Sequence, residues 1–500
     1  MARLNFAQRA IKRVASAFGL RAYEAGMIEN RLRDGVTPSF SGVNTQVTLR
    51  AQRIANSARD AVRNDAFARR IVDLWAANAV GAGVTCAWQN EAHASVWRRW
   101  AETTICDAEG RKTLAGIEAA VMRAVVMDGE AVVRLLRTRL TPRNPIGLEL
   151  QVLEGDYIDR NKNGMNGENR ILQGVEINPR GRPVAYWLLP QHPGETWPLM
   201  PAVGPKSSTR TPADEVLHIF RQERPGQVRG VSWLAPVLPV LRDLTDYETA
   251  LLVKAKIEAC LAAVVNDDSD ETATGSRVTD ANGLPVETFE PGMILYRKGA
   301  GEIEIVNPSG GGSHLQFARR ALERAAVGAG LTYDQVSGDL SSANYSSLRA
   351  GKIEFRALNQ QVQWTLLLPQ LCVPIAEAFD DAGYVAQLWD RQASRYTHTP
   401  PAPEMVDPMK DTMAIIAQVR AGLLTPQRAS AMMGYEFSEV VEEYAAALEA
   451  LDGSGIVLDT DARRVAKSGA AQDAAHIAAV EIAATGAALP RQTAEQPAQQ

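Results

Sequence analysis

The chain has 500 residues, with 53 Lys and Arg against 58 Asp and Glu, and a net charge of −5. At ~150 residues per domain this allows about three domain-sized units, and a hydrophobic fraction of 46% supplies an ordinary core. The charge balance argues against a surface that grips nucleic acid throughout. The four cysteines, Cys86, Cys106, Cys260 and Cys372, form no CxxC pair, which predicts buried free thiols in a reducing compartment.

Residues 1–22 carry Arg3, Arg9, Lys12, Arg13 and Arg21 and no acidic residue. Phe6, Ala10, Val14 and Phe18 recur every four residues, which predicts an amphipathic helix. Such a basic arm can dock on a partner, a membrane or nucleic acid, or stay a plain surface arm. The start lacks the apolar core of a secretory signal. Residues 34–46 read as a linker. From Leu49 to Ala79 the apolar residues fall at helical spacings, and Gly81 and Gly83 end the run. Helices are predicted over 92–100 and 114–127. Strands follow at 131–136, 148–153, 174–177, 184–189 and 216–220. Asn178-Pro-Arg-Gly181 between the third and fourth is a hairpin signal. The predicted class is α+β, predominantly helical.

Residues 232–264 read as a long helix, with Leu241 and Leu244 among its core positions. Pro236 suits a first turn, while Pro239 predicts a bend or a later start. Acidic Asp267, Asp268, Asp270 and Glu271 then open a stretch with short β-like runs at 293–296 and 303–306. A second helix is predicted over 314–329, with Leu315, Ala318, Leu322 and Ala325 on one face. Arg320 and Arg324 lie on the other. Gly338 to Asn344 is a turn-forming run, and Ser346 or Ser347 can cap the long helix that follows. Pro369 and Pro374 should break or kink that helix. Residues 398–403 form a Pro-rich linker. Helices over 408–451 divide at Gly422 with Thr425-Pro426 and at Gly434 with Ser438, with Thr425 and Ser438 as caps. Residues 463–483 are Ala-rich and weakly helical. The last 17 residues read as disordered.

Chemistry-bearing motifs are absent. There is no GxxxxGK[ST], HExxH or GxSxG. The six histidines are scattered, which predicts no metal site. The consecutive carboxylates of 267–271 suit a solvated turn better than a two-metal nuclease. Asp159, Asn161, Asn163 and Gly164 match the opening of a calcium loop, but Arg170 stands where the bidentate Glu belongs, so a plain polar loop is the expectation. No catalytic residue and no cofactor is predicted. No apolar run reaches about 18 residues, so no membrane partner is expected.

The stretch SGDLSSANYSSLRAG, ending at Gly351, resembles the loop-and-helix signature of the lambda-like portal proteins of tailed phages. In the same order stand RNDAFARRIVDLWAANAVGAGV from Arg63, DGEAVVRLL from Asp128 and LQVLEGDYID from Leu150. GRPVAYWLLPQHPGE from Gly181, RQERPGQVRGVSWLAPVL from Arg221 and VDPMKDTMAIIAQVRAGLLTPQ from Val406 complete the set. The resemblance implies a portal fold assembled as a ring around a central channel. It would comprise a basic arm and linker (1–46), a wing (47–231), stem helices (232–265 and 313–331) and a clip between them (266–312). A tunnel loop (332–346), a long helix returning to the wing (347–400), crown helices (401–455) and a tail (456–500) would follow. It further implies Ser341, Ser342, Asn344, Tyr345 and Arg349 at the DNA channel, with Lys254, Lys256, Arg320 and Arg324 as stem channel residues. The acidic clip start, Asp267 to Glu271, would dock a partner.

The partners so implied are a dodecamer of like subunits, double-stranded DNA, the terminase large subunit, head–tail adaptors, and the major capsid and scaffold proteins. The place would be a virion capsid vertex, reached from the host cytoplasm during assembly. A non-ring DNA-associated adaptor and a nuclease are the rival readings.

Overall fold

The first apolar helix run is two helices in the computed structural model, which describes residues 42–195, 207–267, 293–298, 314–341, 345–390, 395–402, 405, 407–456, 458, 461 and 463. Helix α1 spans Val43–Asn64 and α2 spans Ala66–Val80. Asp65 makes the break: its carboxylate accepts the Phe67 and Ala68 N–H groups, both at 2.8 Å. A carboxylate that satisfies the first free donors of a helix starts a new one. The basic arm of 1–22, the Ala-rich stretch and the last 17 residues lie outside the described residues.

Next come β1 (Thr85–Trp88), α3 (Glu91–Ala101), α4 (Leu114–Asp128), β2 (Glu130–Arg137) and β3 (Leu148–Glu154). Strands β4 (Gly164–Asn166), β5 (Asn169–Leu172), β6 (Val175–Ile177), β7 (Pro183–Leu188), β8 (Thr209–Pro212) and β9 (Val216–Phe220) follow. The expected hairpin is β6–β7, closed by Asn178 N donating to Arg182 O at 2.9 Å. Strands β4, β5 and β8, short and mostly polar, extend it to a five-stranded antiparallel sheet. A second sheet has the order β3–β2–β9. Val132, Ile158, Val175, Ile177, Tyr186, Leu188 and Val216 form one buried cluster joining the two sheets.

Helix α5 covers Leu238–Cys260 and leads into β10 (Leu261–Asp267), which pairs in parallel with β11 (Met293–Lys298). The expected start at 232 moves to Leu238, because Pro239 is tolerated only in a first turn. The expected helical end at 264 is instead strand from Leu261. The β-like run at 303–306 lies outside the described residues. Helix α6 spans His314–Ala329. Leu241, Leu244 and Leu322 are buried as expected, but Leu315 is 76% exposed. A short α7 (Tyr333–Ser337), unexpected from sequence, precedes α8 (Tyr345–Val362). Ser346 and Ser347 therefore sit inside α8 rather than capping it.

Pro369 and Pro374 do not break the chain. Gln363–Cys372 widens into π-helix and runs on into α9 (Val373–Val385), with Val373 N donating to Leu368 O. A proline inside an α-helix clashes with the carbonyl four residues back; a five-residue register gives the ring room and moves the missing donor. The widened turn is held from outside. Gln363 Nε2 donates to Ala79 O at 3.0 Å, and Phe220 N donates to Gln370 Oε1 at 3.0 Å. Leu348–Val385 is long and apolar enough to cross a membrane, yet 61% of its most apolar window is buried within the protein. Leu366, Leu367, Leu371, Ile375 and Phe379 are core residues.

The remaining elements are β12 (Tyr396–Thr399), α10 (Pro408–Arg420), α11 (Pro426–Met432) and α12 (Phe437–Gly453). The divisions at Gly422 and Gly434 fall as expected, and Thr425 caps α11 through the Arg428 N–H. Ser438 is not a cap: Glu436 takes that position, and the serine hydroxyl donates to its carboxylate. Contacts divide the chain into two units, Met1–Ala79 with Trp97–Arg391 and Val80–Val96 with Gln392–Gln500. In the second, β1 pairs antiparallel with β12, and Trp88 lies 4.8 Å from the Tyr396 ring. Cys86, Cys106 and Cys372 are buried thiols outside any disulfide. Burial, helped by the Asp107 charge, pushes the Cys106 thiol up to about 12, which leaves it unreactive. The side chain of Cys260 lies outside the described residues.

One titration is built into the β1–β12 pair. Burial pushes His398 down to about 4. The unfolded chain then binds the extra proton at higher pH than the folded one, so the stability this residue protects is full above about 6.5 and falls as pH drops toward 4. Denaturant titration with a probe on Trp88 should show that loss in the parent, and His398→Gln should flatten it. An unchanged pH profile in the variant rules out this origin.

Candidate functional site

Three segments that each set a charge beside a glycine, far apart in sequence, meet at the entry to α5. Gly129 closes α4 with φ +97° and leads into β2 at Glu130. Arg229 and Gly230 precede the turn into α5. Gly155 follows β3. A Cβ on Gly129 would lie 2.2 Å from the Val231 carbonyl carbon, and one on Gly230 would lie 2.1 Å from Gly129 O. The two backbones can cross only as glycines.

That crossing lets Arg229, itself fully buried, reach Glu130. Arg229 Nε donates to both carboxylate oxygens at 2.9 and 3.1 Å. Its Nη1 donates to Gln173 O at 2.9 Å, and its Nη2 to Gly155 O at 2.7 Å. Glu130 also accepts from Arg160 Nη2 at 2.7 Å and from Gly230 N at 2.8 Å. His218 Nε2 lies 3.1 Å from it. Burial alone would raise the Glu130 carboxyl, but the Arg229 charge and the His218 and Arg229 hydrogen bonds hold it well below the usual carboxylate range. Burial lowers His218, so its ring is neutral and donates through Nε2.

A second set adjoins the first through Asp156. Arg59 on α1 spans Asp128 (2.7 Å), Asp156 (2.6 Å) and Glu154 (3.1 Å). Burial pushes Asp128 up to about 6 against the pull of Arg59. His192 Nε2 lies 3.2 Å from Glu154 and 3.5 Å from Asp156. Glu154, Asp156 and His192 are spaced as a metal ion would need. The donor chemistry opposes one. His192 Nδ1 accepts the Gly194 N–H, which places the neutral ring's proton on the Nε2 that faces the carboxylates. The Arg59 guanidinium already occupies both carboxylates. The set is an ion-pair lattice that ties α1, β3 and the end of α4 together. In the Asp159 loop, the carboxylate accepts the Asn161 N–H and the Ser208 hydroxyl.

From Gly230 the chain enters the helix pair. Trp233 N donates to Val126 O at 3.1 Å. Trp75 on α2 then gathers three elements: its ring meets Trp233 edge-on at 5.1 Å and Phe355 of α8 at 5.4 Å, and its Nε1 donates to Ala329 O at 2.9 Å. A cleft of about 850 Å³ opens beside it, lined among others by Trp233, Pro236, Gly328, Leu358 and Leu366. The helix pair α5–α6 carries β10 and β11 at its far end. Its near end is gripped by Trp75 and the Arg229 network.

The loop after α6 is more ordered than its composition implies. Thr332 and Gln335 form a capping box at α7, and Gly338 closes it in the left-handed region. Asp339 accepts the Ser341 N–H at 2.9 Å. Ser341 is exposed, and Arg349 is half-buried on α8. Ser342, Asn344 and the side chain of Tyr345 lie outside the described residues. Arg320 and Arg324 are exposed on the α6 face away from Leu322. Arg320 pairs with Glu323 at 3.3 Å, and Arg319 with the same carboxylate at 3.2 Å. Lys256 is exposed and Lys254 half-buried on the distal half of α5. Asp267 ends β10, while Asp268, Asp270 and Glu271 lie outside the described residues. Among the described residues, no two of the expected site residues line one pocket together. The constellation it does assemble, Glu130 with Arg229, Arg160, Asp156 and Arg59, was missed. Its signal was present as Asp-Gly-Glu, Glu-Gly-Asp and Arg-Gly, each a charge beside a glycine.

Residues 29–363 match the family model described as phage portal protein, lambda family. The probable portal protein of Halomonas phage phiHAP-1 is 27% identical over 390 residues, 73% of each chain. The portal protein of Escherichia phage N15 is 22% identical over 449 residues, 77% of this chain and 81% of that one. Among solved structures, a chain from the neck of a native GTA particle, computed with C12 symmetry, aligns over 81% of this chain and 97% of its own. That alignment has a TM-score of 0.38 and 15% identity.

Removing one partner of a buried pair leaves the other uncompensated, at a cost of ~3–5 kcal/mol. Arg229→Met and Glu130→Gln should each lose stability of that order in urea unfolding of the full chain. The double variant should lose clearly less than their sum, because the two changes remove one shared interaction. Additive losses would show that the pair is not coupled.

Proposed function

This chain belongs to the lambda family of phage portal proteins and serves a portal function in the virion. From that premise we infer that copies of it close into a ring at a capsid vertex, and that DNA passes through the ring in packaging and ejection. The observation that carries the reading is the match over 29–363, within which lies the helix pair α5–α6 joined by β10 and β11. As a stem and clip, these would present the strand end to the terminase motor and later to head–tail adaptors. The acidic start at Asp267, Asp268 and Asp270 would meet a basic partner patch, where complementary charge sets encounter rate and specificity.

The chain hydrolyses nothing in this scheme; the motor supplies the phosphate chemistry. Its own task is to hold DNA weakly, since each neutralised phosphate adds salt-dependent affinity that would brake translocation. Arg320 and Arg324, repeated around a ring, would form a sparse girdle. Ser341, Ser342, Asn344, Tyr345 and Arg349 would form a loop at the narrowest part of the bore.

Negative-stain images of the purified protein test the ring: annuli with a central channel are expected, and compact monomers would overturn the reading. Deleting residues 339–344 should leave the rings intact and lose DNA late in packaging. Full genomes retained by that variant would remove the loop from the mechanism. Reversing the charges of Asp267, Asp268 and Asp270 together should spare rings and impair packaging, and normal packaging would dismiss the acidic docking surface.

A further inference from the structure

None of the residues of α10, α11 and α12 is buried. Helices of this length owe most of their stability to a packed face, so a set with no buried residue is incomplete alone. Helix α10 has two apolar stripes. Ile415 and Val419 are half-buried. Met409, Met413 and Ile416, spaced at four and three, make a second stripe that is 79%, 59% and 40% exposed. Arg420, also exposed, continues that stripe one turn further on. A contiguous apolar stripe ending in a cation marks a contact surface.

Helix α12 offers the opposite chemistry. Its half-buried residues Val440, Leu448 and Leu451 share one side with Val441 and Tyr444, which are 48% and 61% exposed, whereas Glu439, Glu442, Glu443, Ala446 and Glu449 recur on the other. The helix carries no Lys or Arg. Exposed Arg420 on α10 and Arg428 on α11 are basic, so the Met409–Met413–Ile416 stripe lies beside positive charge while the Ala446 side of α12 is small and acidic.

We propose that the occupant of the Met409–Met413–Ile416 stripe is a second copy of this chain, which seats the Ala446 face of its α12 there. Arg420 and Arg428 of one copy then face the glutamates of the next. This rests on the ring reading above and adds the partner surface. Two unlike faces cannot pair with themselves. The contact is head-to-tail, and repeated by rotation it closes a ring. The charge complement sets its direction.

The test is disulfide trapping in the full chain. Met413→Cys and Ala446→Cys are made singly and together, oxidised mildly beside the parent, and run on a non-reducing gel. The double variant should give a ladder well beyond dimer, and the single variants should match the parent. Dimers from either single variant would mean like-on-like pairing and overturn the proposal. A cross-link confined to the monomer would also overturn it, because the stripe would then be covered within one chain. If the double variant forms rings by electron microscopy but no ladder, the head-to-tail contact fails while the ring stands. If no rings form at all, the portal-ring reading fails with it. In a second measurement, Met413→Glu with Ile416→Glu should raise the protein concentration needed for assembly about tenfold or more, as expected of a central apolar contact. Assembly at the parent's concentration would overturn the proposal independently.

Discussion

One buried ion pair, Glu130 with Arg229, decides where the helix pair leaves the body of this protein. Both groups are removed from water, and neither could be so alone. The carboxylate satisfies its oxygens with Arg229, Arg160, His218 and the Gly230 N–H, and the guanidinium spends its remaining donors on Gln173 O and Gly155 O. A buried pair of this kind is a weak source of net stability, but it specifies geometry, because any other arrangement strands a charge. Here it ties the α4–β2 junction, the turn after β3 and the segment before α5 at one point.

The glycines are the condition for that geometry. Gly129 and Gly230 cross at distances no side chain permits. The charge lattice on Arg59 extends the same tie to α1, and Trp75 extends it to the return of α6 and to α8. A helix pair held only through its own interface would pivot at its base; this one is clamped by ion pairs on one side and a tryptophan on the other. That clamp fixes the base of the helix pair against the sheets behind it.

The long helix from Tyr345 to Val385 meets the same problem differently. Its prolines would kink an α-helix, and the chain absorbs them by widening to a π register for Gln363–Cys372. The widened turns are braced by Gln363 and Gln370, side chains that bond backbone groups of other elements. The irregularity is stable because the tertiary structure supplies partners that the helix itself lacks.

Residue patterns alone determined the helix periods, the β6–β7 hairpin, the divisions between α10, α11 and α12, the absence of catalytic motifs and the likeness to the portal family. Each is local, or is carried by an ordered set of motifs. Asp65 as a cap, Leu261 as strand and the unbroken passage through Pro369 were not legible, since each depends on which partner competes for the same backbone groups. The site divides in the same way. Arg320, Arg324 and Ser341 were legible as polar residues on exposed surfaces, because exposure follows from helical phase and turn composition. The Glu130–Arg229 clamp was not: its members lie 99 positions apart, and a charge beside a glycine has no sequence period. Only the tertiary structure decided it, because a buried charge is tolerated solely where the folded chain brings its counter-charge and hydrogen-bond partners to it.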